Sequence, residues 1–336
     1  MAASRLAEKI MKKPRRILVA IKNPGARTQP ALQKAAQLAS AMGARLELFH
    51  AISEPVYLDA FLMQGMTLAQ TQKHWRERLM TKLEKHVQAL RETGLVVQTS
   101  CEWDFPAYEA VIRRASRFGA DLIVAERHAK RHVMPWLLRF NDWELLRRSP
   151  VPVLLVKSSR PWRKPAVLAA IDPLHTFATP AGLDDDIIET AQMTAEALGG
   201  KLHVAHAFTG AMMPLDRMNP VSAELAVTLE RQITQQARKA FTDAVDDSVA
   251  RGARRHFVAG EPVDAIPRLA RKLHASLVVM GSVSRSGLKR LVIGNVAEQV
   301  LDTLSCDVLA LKPADFKPRV KHRMRGVQLV PTPPYL

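Results

Sequence analysis

The chain is poor in the cysteines and long apolar runs that disulfide-bonded or membrane-spanning proteins need. Of its 336 residues only two are cysteine, Cys101 and Cys306, and they stand far apart. That usage fits a reducing compartment rather than a disulfide framework. No stretch approaches the roughly 20 uninterrupted apolar residues of a membrane helix, so no membrane span is expected. No His-Glu-x-x-His, Cys-x-x-Cys, Gly-x-Ser-x-Gly or full Walker lysine motif occurs. Nothing brings a nucleophile, a base and an orienting group together by spacing. The expectation is a protein without catalytic chemistry of its own, a weak ATPase being the most it would support.

What is present is an ordinary soluble composition, 47% apolar and 24% charged, in a chain long enough for two cores. The net charge of +17 is unevenly placed. Residues 1–158 hold 26 Lys+Arg against 14 Asp+Glu, residues 159–314 hold 18 against 17, and residues 315–336 hold 5 against 1. Basicity therefore belongs to the first half and the tail. It reads either as a solvated face or as a surface for an acidic protein or nucleic acid. The first sixteen residues are basic, with Glu8 the only acid, and lack the apolar core of a secretory signal. They read as a plain arm, with a transit peptide as the alternative. The protein is expected to be cytoplasmic.

The two halves repeat one order of elements. β-Branched runs at Arg16–Ile21 and Ala166–Asp172 open them. Helical stretches follow at Ala31–Met42 and Leu183–Leu198, each closed by glycine, Gly43 and Gly199-Gly200. Second strands are Arg45–His50 and Lys201–His206. Long helices come next. One carries Leu68, Trp75, Leu79, Leu83, Val87 and Leu90; the other carries Leu225, Leu229, Ile233, Ala237, Phe241, Val245 and Val249 every four residues. Both read as helices with one apolar face. A third strand, a shorter helix, a fourth strand, a loop, a helix and a fifth strand complete each half. Leu122 to Leu277 and Val153 to Val308 are both 155 residues apart. Continuous apolar strands alternating with helices imply parallel sheets covered on both faces. The fold class is α/β: two tandem, doubly wound, five-stranded parallel-sheet domains, Rossmann-like. They span 14–158 and 165–313, joined by the polar, proline-flanked run Ser158–Pro165. Residues 314–336, basic and with proline at 318, 331, 333 and 334, read as an irregular tail.

One stretch carries the candidate chemistry. The run Val278-Val279-Met280 stops at Gly281, a basic loop containing Ser284 and Gly287 follows, and Gly294-Asn295 opens a helical pattern from Val296. A strand, a glycine-rich loop and a helix N-terminus make a phosphate cradle, because glycine lets backbone approach closely and the helix end offers unpaired N–H groups. In the first half Glu126 stands where Gly281 does, and 127–140 contains no glycine. That half is read as non-binding in this manner. Its loop bears Arg127, His128, Lys130, Arg131 and His132, either an unrelated anion site or a solvated surface. His203 and His206, three apart on a strand, point to opposite faces and so are not expected to share a metal. The run Asp184-Asp185-Asp186 reads as helix N-terminal acids, with a Mg²⁺ role beside Asp172 as the sharper alternative.

The Gly281…Gly287…Gly294-Asn295-Val296-Ala297-Glu298 loop resembles the nucleotide loop of universal stress proteins. The first-half runs 108–112 and 142–154 resemble the tandem, E-type members of that family. The resemblance covers the chain except 1–13 and the tail. It implies a non-enzymatic stress-response protein that binds an adenine nucleotide, ATP with Mg²⁺, in its second half. By the same resemblance Asp172 stands near the adenosine, Ala207 offers backbone to adenine, and Met280 lines the base pocket. Ser284 takes the place of a loop glycine, and Asn295 that of a hydroxyl residue. The resemblance also implies that the two domains pair within the chain. The alternative is an interaction scaffold without nucleotide.

Overall fold

The computed structural model describes residues 13–57, 67–127, 135–174, 182–210, 220–282, 295–313, 316–317 and 320–330. The chain divides into two compact units: Lys13–Pro161 together with the chain from Lys317 onward, and Trp162–Phe316. We call them the N-terminal and C-terminal domains.

In the N-terminal domain, β1 (Arg16–Ala20) lies between β2 (Arg45–Ile52) and β5 (Leu122–Glu126). β4 (Val97–Trp103) flanks β2, β6 (Val153–Val156) flanks β5, and every pairing is parallel. Helices α1 (Pro30–Met42), α2 (Leu68–Glu92), α3 (Ala107–Phe118) and α4 (Pro135–Arg148) make the crossovers. In the C-terminal domain, β7 (Ala166–Ala170) lies between β8 (Lys201–Phe208) and β10 (Leu277–Gly281). β9 (Arg254–Ala259) and β11 (Asp307–Leu311) flank them, again in parallel. Its helices are α5 (Leu183–Ala197), α6 (Pro220–Asp246), α7 (Pro262–Lys272) and α8 (Asn295–Thr303). In both domains the chain leaves the first strand toward one side of the sheet and later returns on the other. A crevice opens at such a reversal, outside the carboxyl ends of the strands.

The strands form where continuous apolar runs are covered on both faces. Ile17, Leu18 and Val19, and likewise Val167, Leu168 and Ala169, are wholly buried. The long helices depart from the single apolar face expected of them. On α6, Ala237, Phe241 and Val245 are buried, but Leu225 is 60% and Leu229 42% exposed, and Ile233 is exposed too, while Val249 lies beyond the end of the helix. The cause is arithmetic. A row repeating every four residues rotates about 40° per step on a helix of 3.6 residues per turn, so its ends leave the buried side. On α2, Leu83 and Val87 are buried while Trp75 is exposed.

The tail also departs from expectation. Leu329–Val330 form β12, which pairs in parallel with β3 (Val56–Tyr57). Two residues carry too little alternation to be read as a strand, and this one exists only because β3 offers it a backbone edge.

Candidate functional site

At the C-terminal domain's crevice, Ile171 and Asp172 emerge from β7, and Met280 and Gly281 end β10. Met280, buried, pairs with Ala170 on one side and Ala310 on the other. Gly281 is glycine for packing. A Cβ there would lie 2.8 Å from Leu183 Cδ2 and 3.7 Å from Ile187 Cδ1, both buried side chains of α5. The first turn of α5 thus lies directly against the end of β10.

That turn supplies three acids, Asp184, Asp185 and Asp186. Asp184 reaches back to Asp172: its Oδ1 accepts the Asp172 backbone N–H at 3.1 Å. Burial, and the nearby charges of Glu189 and Asp185, push the Asp186 carboxyl up to about 6. Asp172 and the acids of α5 give this end of β7 an acidic rim, and among the described residues no group of three or more His, Cys, Asp or Glu is placed to hold a metal ion. Strand two runs to Phe208, two residues past its expected end, so Ala207 lies inside it, opposite Val258. Its backbone still faces the β7 side. Ala205 C=O accepts from Ile171 N–H and Phe208 C=O accepts from Gly260 N–H, and alternate residues share a direction.

Of the expected site residues, the crevice thus brings together Asp172, Ala207, Met280 and Gly281. Asn295 and Val296 begin α8. Ser284, Gly287 and Gly294 lie outside the described residues, as do His128, Lys130, Arg131 and His132 of the first half.

Sequence reasoning missed the contacts of three members of this end of the sheet. Asp184 reads from the sequence as a helix acid or as a Mg²⁺ partner of Asp172, and its hydrogen bond to the Asp172 backbone N–H is what the spacing does not show. Lys312, just past β11, is buried enough that its ammonium falls to about 7, and its Nζ lies 4.7 Å from the Phe316 ring centre. The 155-residue repeat that aligns Val153 with Val308 also aligns Lys312 with Lys157, and that was the available signal. His206 donates from Nδ1 to the Ile171 carbonyl at 3.1 Å, amid Phe208, Phe241 and Phe257. His50 makes the same bond to Ile21 at 2.8 Å. Each histidine pins the end of strand one to strand two, and burial lowers the pKa of both. His203 has other company: its ring stacks on His256, with Nδ1 2.9 Å from the His256 Nε2. The two histidines thus have separate neighbours.

The corresponding crevice of the N-terminal domain is built with opposite charge. A cleft of about 340 Å³ is lined by Lys22, Asn23, Gln29, Glu126, Arg127 and Lys157, among others. Lys22, at the position of Asp172, pairs with Asp142 of α4 at 2.6 Å. The Arg127 guanidinium lies 5.2 Å from the Trp143 ring centre. The first turn of α1 carries no acid and has no side-chain cap.

Two doubly wound α/β domains with crevices at the strand reversals define a tandem, Rossmann-like α/β protein. The chain belongs to the Universal stress protein family, which matches residues 13–157 and 182–312. It is similar to Universal stress protein E of Salmonella typhi, 25% identical over 320 residues, covering 90% of this chain and 96% of that one. The Escherichia coli K12 protein of the same name is 24% identical over the same shares. Among solved structures, a functionally unknown protein of Pseudomonas aeruginosa PAO1 superposes with a TM-score of 0.67 at 29% identity, covering 91% of this chain and 95% of that one.

Proposed function

We propose that the C-terminal domain binds an adenine nucleotide, ATP with Mg²⁺, and that the protein serves in a cytoplasmic stress response by ligand-dependent stability rather than by catalysis. The observation that carries this reading is the juxtaposition of Asp172, Ala207 and Met280-Gly281 at one strand reversal, with α8 opening beyond the loop that Gly281 begins. Asp172 and the acids of α5 suit the ribose hydroxyls or a nucleotide-bound Mg²⁺. The loop from Ser284 to Gly294, with Asn295 and Val296 at the helix start, would take the phosphates. Bound ligand adds RT ln(1 + [L]/Kd) to stability, about 2.7 kcal/mol at 100 Kd. Thermal unfolding with ATP, ADP and AMP, with and without Mg²⁺, tests it on wild type and Gly294→Asp. A stabilisation present in wild type and lost in the variant is expected; no shift with millimolar ATP and Mg²⁺ sinks the reading.

The basic cleft of the N-terminal domain favours a second reading, an interaction scaffold binding acidic proteins or nucleic acid through that half. Counter-ion release then predicts binding to nucleic acid that weakens steeply with salt. Salt-insensitive binding, or none, rejects it.

A further inference from the structure

Opposite the nucleotide question, the N-terminal domain holds a buried charge cluster with no part in either reading. Asp104 follows β4, and Glu109 and Arg113 lie on α3. Arg113 donates from Nε to Asp104 Oδ2 at 2.7 Å and from Nη1 to Glu109 Oε2 at 2.9 Å. The three side chains are 2%, 0% and 7% exposed for Arg113, Asp104 and Glu109. Two buried carboxylates against one guanidinium in contact are unbalanced, and an uncompensated buried charge is costly. Arg148 acts on Glu109 only from a distance, since its guanidinium is held by Glu144 and lies over the Tyr108 ring.

The balance comes from the far end of the chain. Arg325 Nη2 donates to Glu109 Oε1 at 2.9 Å and to Oε2 at 3.0 Å. Its backbone N–H donates to Asp104 Oδ1 at 2.9 Å. Lys321 C=O accepts from Arg113 at 3.3 Å. Three residues beyond Arg325, the Gln328 carbonyl accepts the Val56 N–H at 2.8 Å, and β12 joins β3.

The two sides of this contact are unlike. The socket is fully buried and built on a strand end and a helix. The segment that fills it has no buried residue from 320 to 330. It is held by the Arg325 side chain and backbone, by the Lys321 carbonyl on Arg113, by a contact of Met324 Sδ with Arg117, and by a two-residue ladder, all polar or surface contacts. Few buried apolar contacts mean a low opening free energy. An extended segment held by main-chain pairing and one specific side-chain pocket is a mode of peptide recognition.

We infer that Asp104, Glu109, Arg113 and the β3 edge form a peptide-binding site for an arginine-anchored extended segment, and that residues 320–330 are its resident, displaceable ligand. The class of ligand is a peptide with arginine followed at the third to fifth positions by residues able to pair as a strand, as Gln328, Leu329 and Val330 do. The site is self-occupied, and an incoming peptide of this kind competes with the chain's own tail.

The test uses the full chain and a fluorescent synthetic peptide of the sequence 320–330. Arg325→Ala should free the tail. Amide exchange at Val56 should then accelerate at least tenfold, and the labelled peptide should bind the variant at least tenfold more tightly than wild type. The double variant Arg325→Ala/Glu109→Gln should lose that binding, as should a peptide carrying alanine at the arginine position. Near-ultraviolet circular dichroism confirms that the variants are folded. Should Arg325→Ala be unfolded, Arg325→Lys, which keeps the charge but not the two-oxygen contact, is to show the same two changes more weakly. Unchanged Val56 exchange in the folded variant, or a peptide that binds neither chain, overturns the inference.

Discussion

The two domains share a backbone and disagree in charge at the same point. Where β1 ends, Lys22 is bound to Asp142, and the first turn of α1 has no acid. Where β7 ends, Asp172 is bound through its N–H to Asp184, and the first turn of α5 has three acids. Where β5 ends stands Glu126; where β10 ends stands Gly281, with Leu183 packed over it. Yet His50 and His206 make the same bond to the same carbonyl in both. The difference teaches that the sheet fixes where a crevice lies, while side chains on its rim are free to change the ligand it suits.

The largest way to break this comparison is Gly281→Val. A β-branched side chain would press into Leu183 and Ile187, and overpacking should cost about 3 kcal/mol, the upper part of its usual range. Urea unfolding measures it. A loss under about 0.5 kcal/mol would mean that α5 yields easily and that the glycine is there for the loop alone. Next come His50→Ala and His206→Ala. Each leaves a buried carbonyl without its donor, so each should lose about 1–3 kcal/mol, by similar amounts. A loss in only one domain would show that the shared pin is not an equivalent device.

Asp186→Asn sharpens the acidic side of the comparison. The folded carboxyl titrates near 6 against an ordinary 3.8. Its ionisation is therefore disfavoured by folding, and wild type loses stability as pH rises from about 4 through 6. The variant should be the more stable protein above pH 6, with the advantage gone at pH 4 and below. Melting temperatures across that range decide it; an advantage that persists at pH 3.5 would assign the effect to packing. The smallest effect is expected at Leu229→Glu on α6, within about 0.5 kcal/mol because the residue is already exposed. A larger loss would mean that this face is covered in solution.

Much of this was legible in the chain. Apolar runs such as Ile17–Val19 and Val278–Met280, spaced by glycine-ended helices, made the alternation of strands and helices and the parallel sheet legible, because a parallel sheet needs a crossover between its strands. Gly281 was found for a phosphate-loop reason, and its Cβ-free approach to Leu183 adds a packing reason that no spacing could show. The four-residue row on α6 was over-read, since drift around the helix places Leu225 and Phe241 in different surroundings. Ala207 lies inside β8, which runs two residues longer than its apolar pattern suggested.

By itself, then, the sequence determined two repeated α/β domains and the contrast between Glu126 and Gly281 at the ends of their fourth strands. Periodicity and composition are local properties, and these conclusions depend on nothing else. Only the tertiary structure decided the pairings made across long separations. Asp184 returns to Asp172, and Arg325 crosses more than two hundred residues to Asp104 and Glu109. The physical reason is that local spacing supplies a buried charge with only some of its partners, as it supplies Arg113 to Glu109 four residues away. The rest are whatever residues the folded backbone carries to within hydrogen-bond reach.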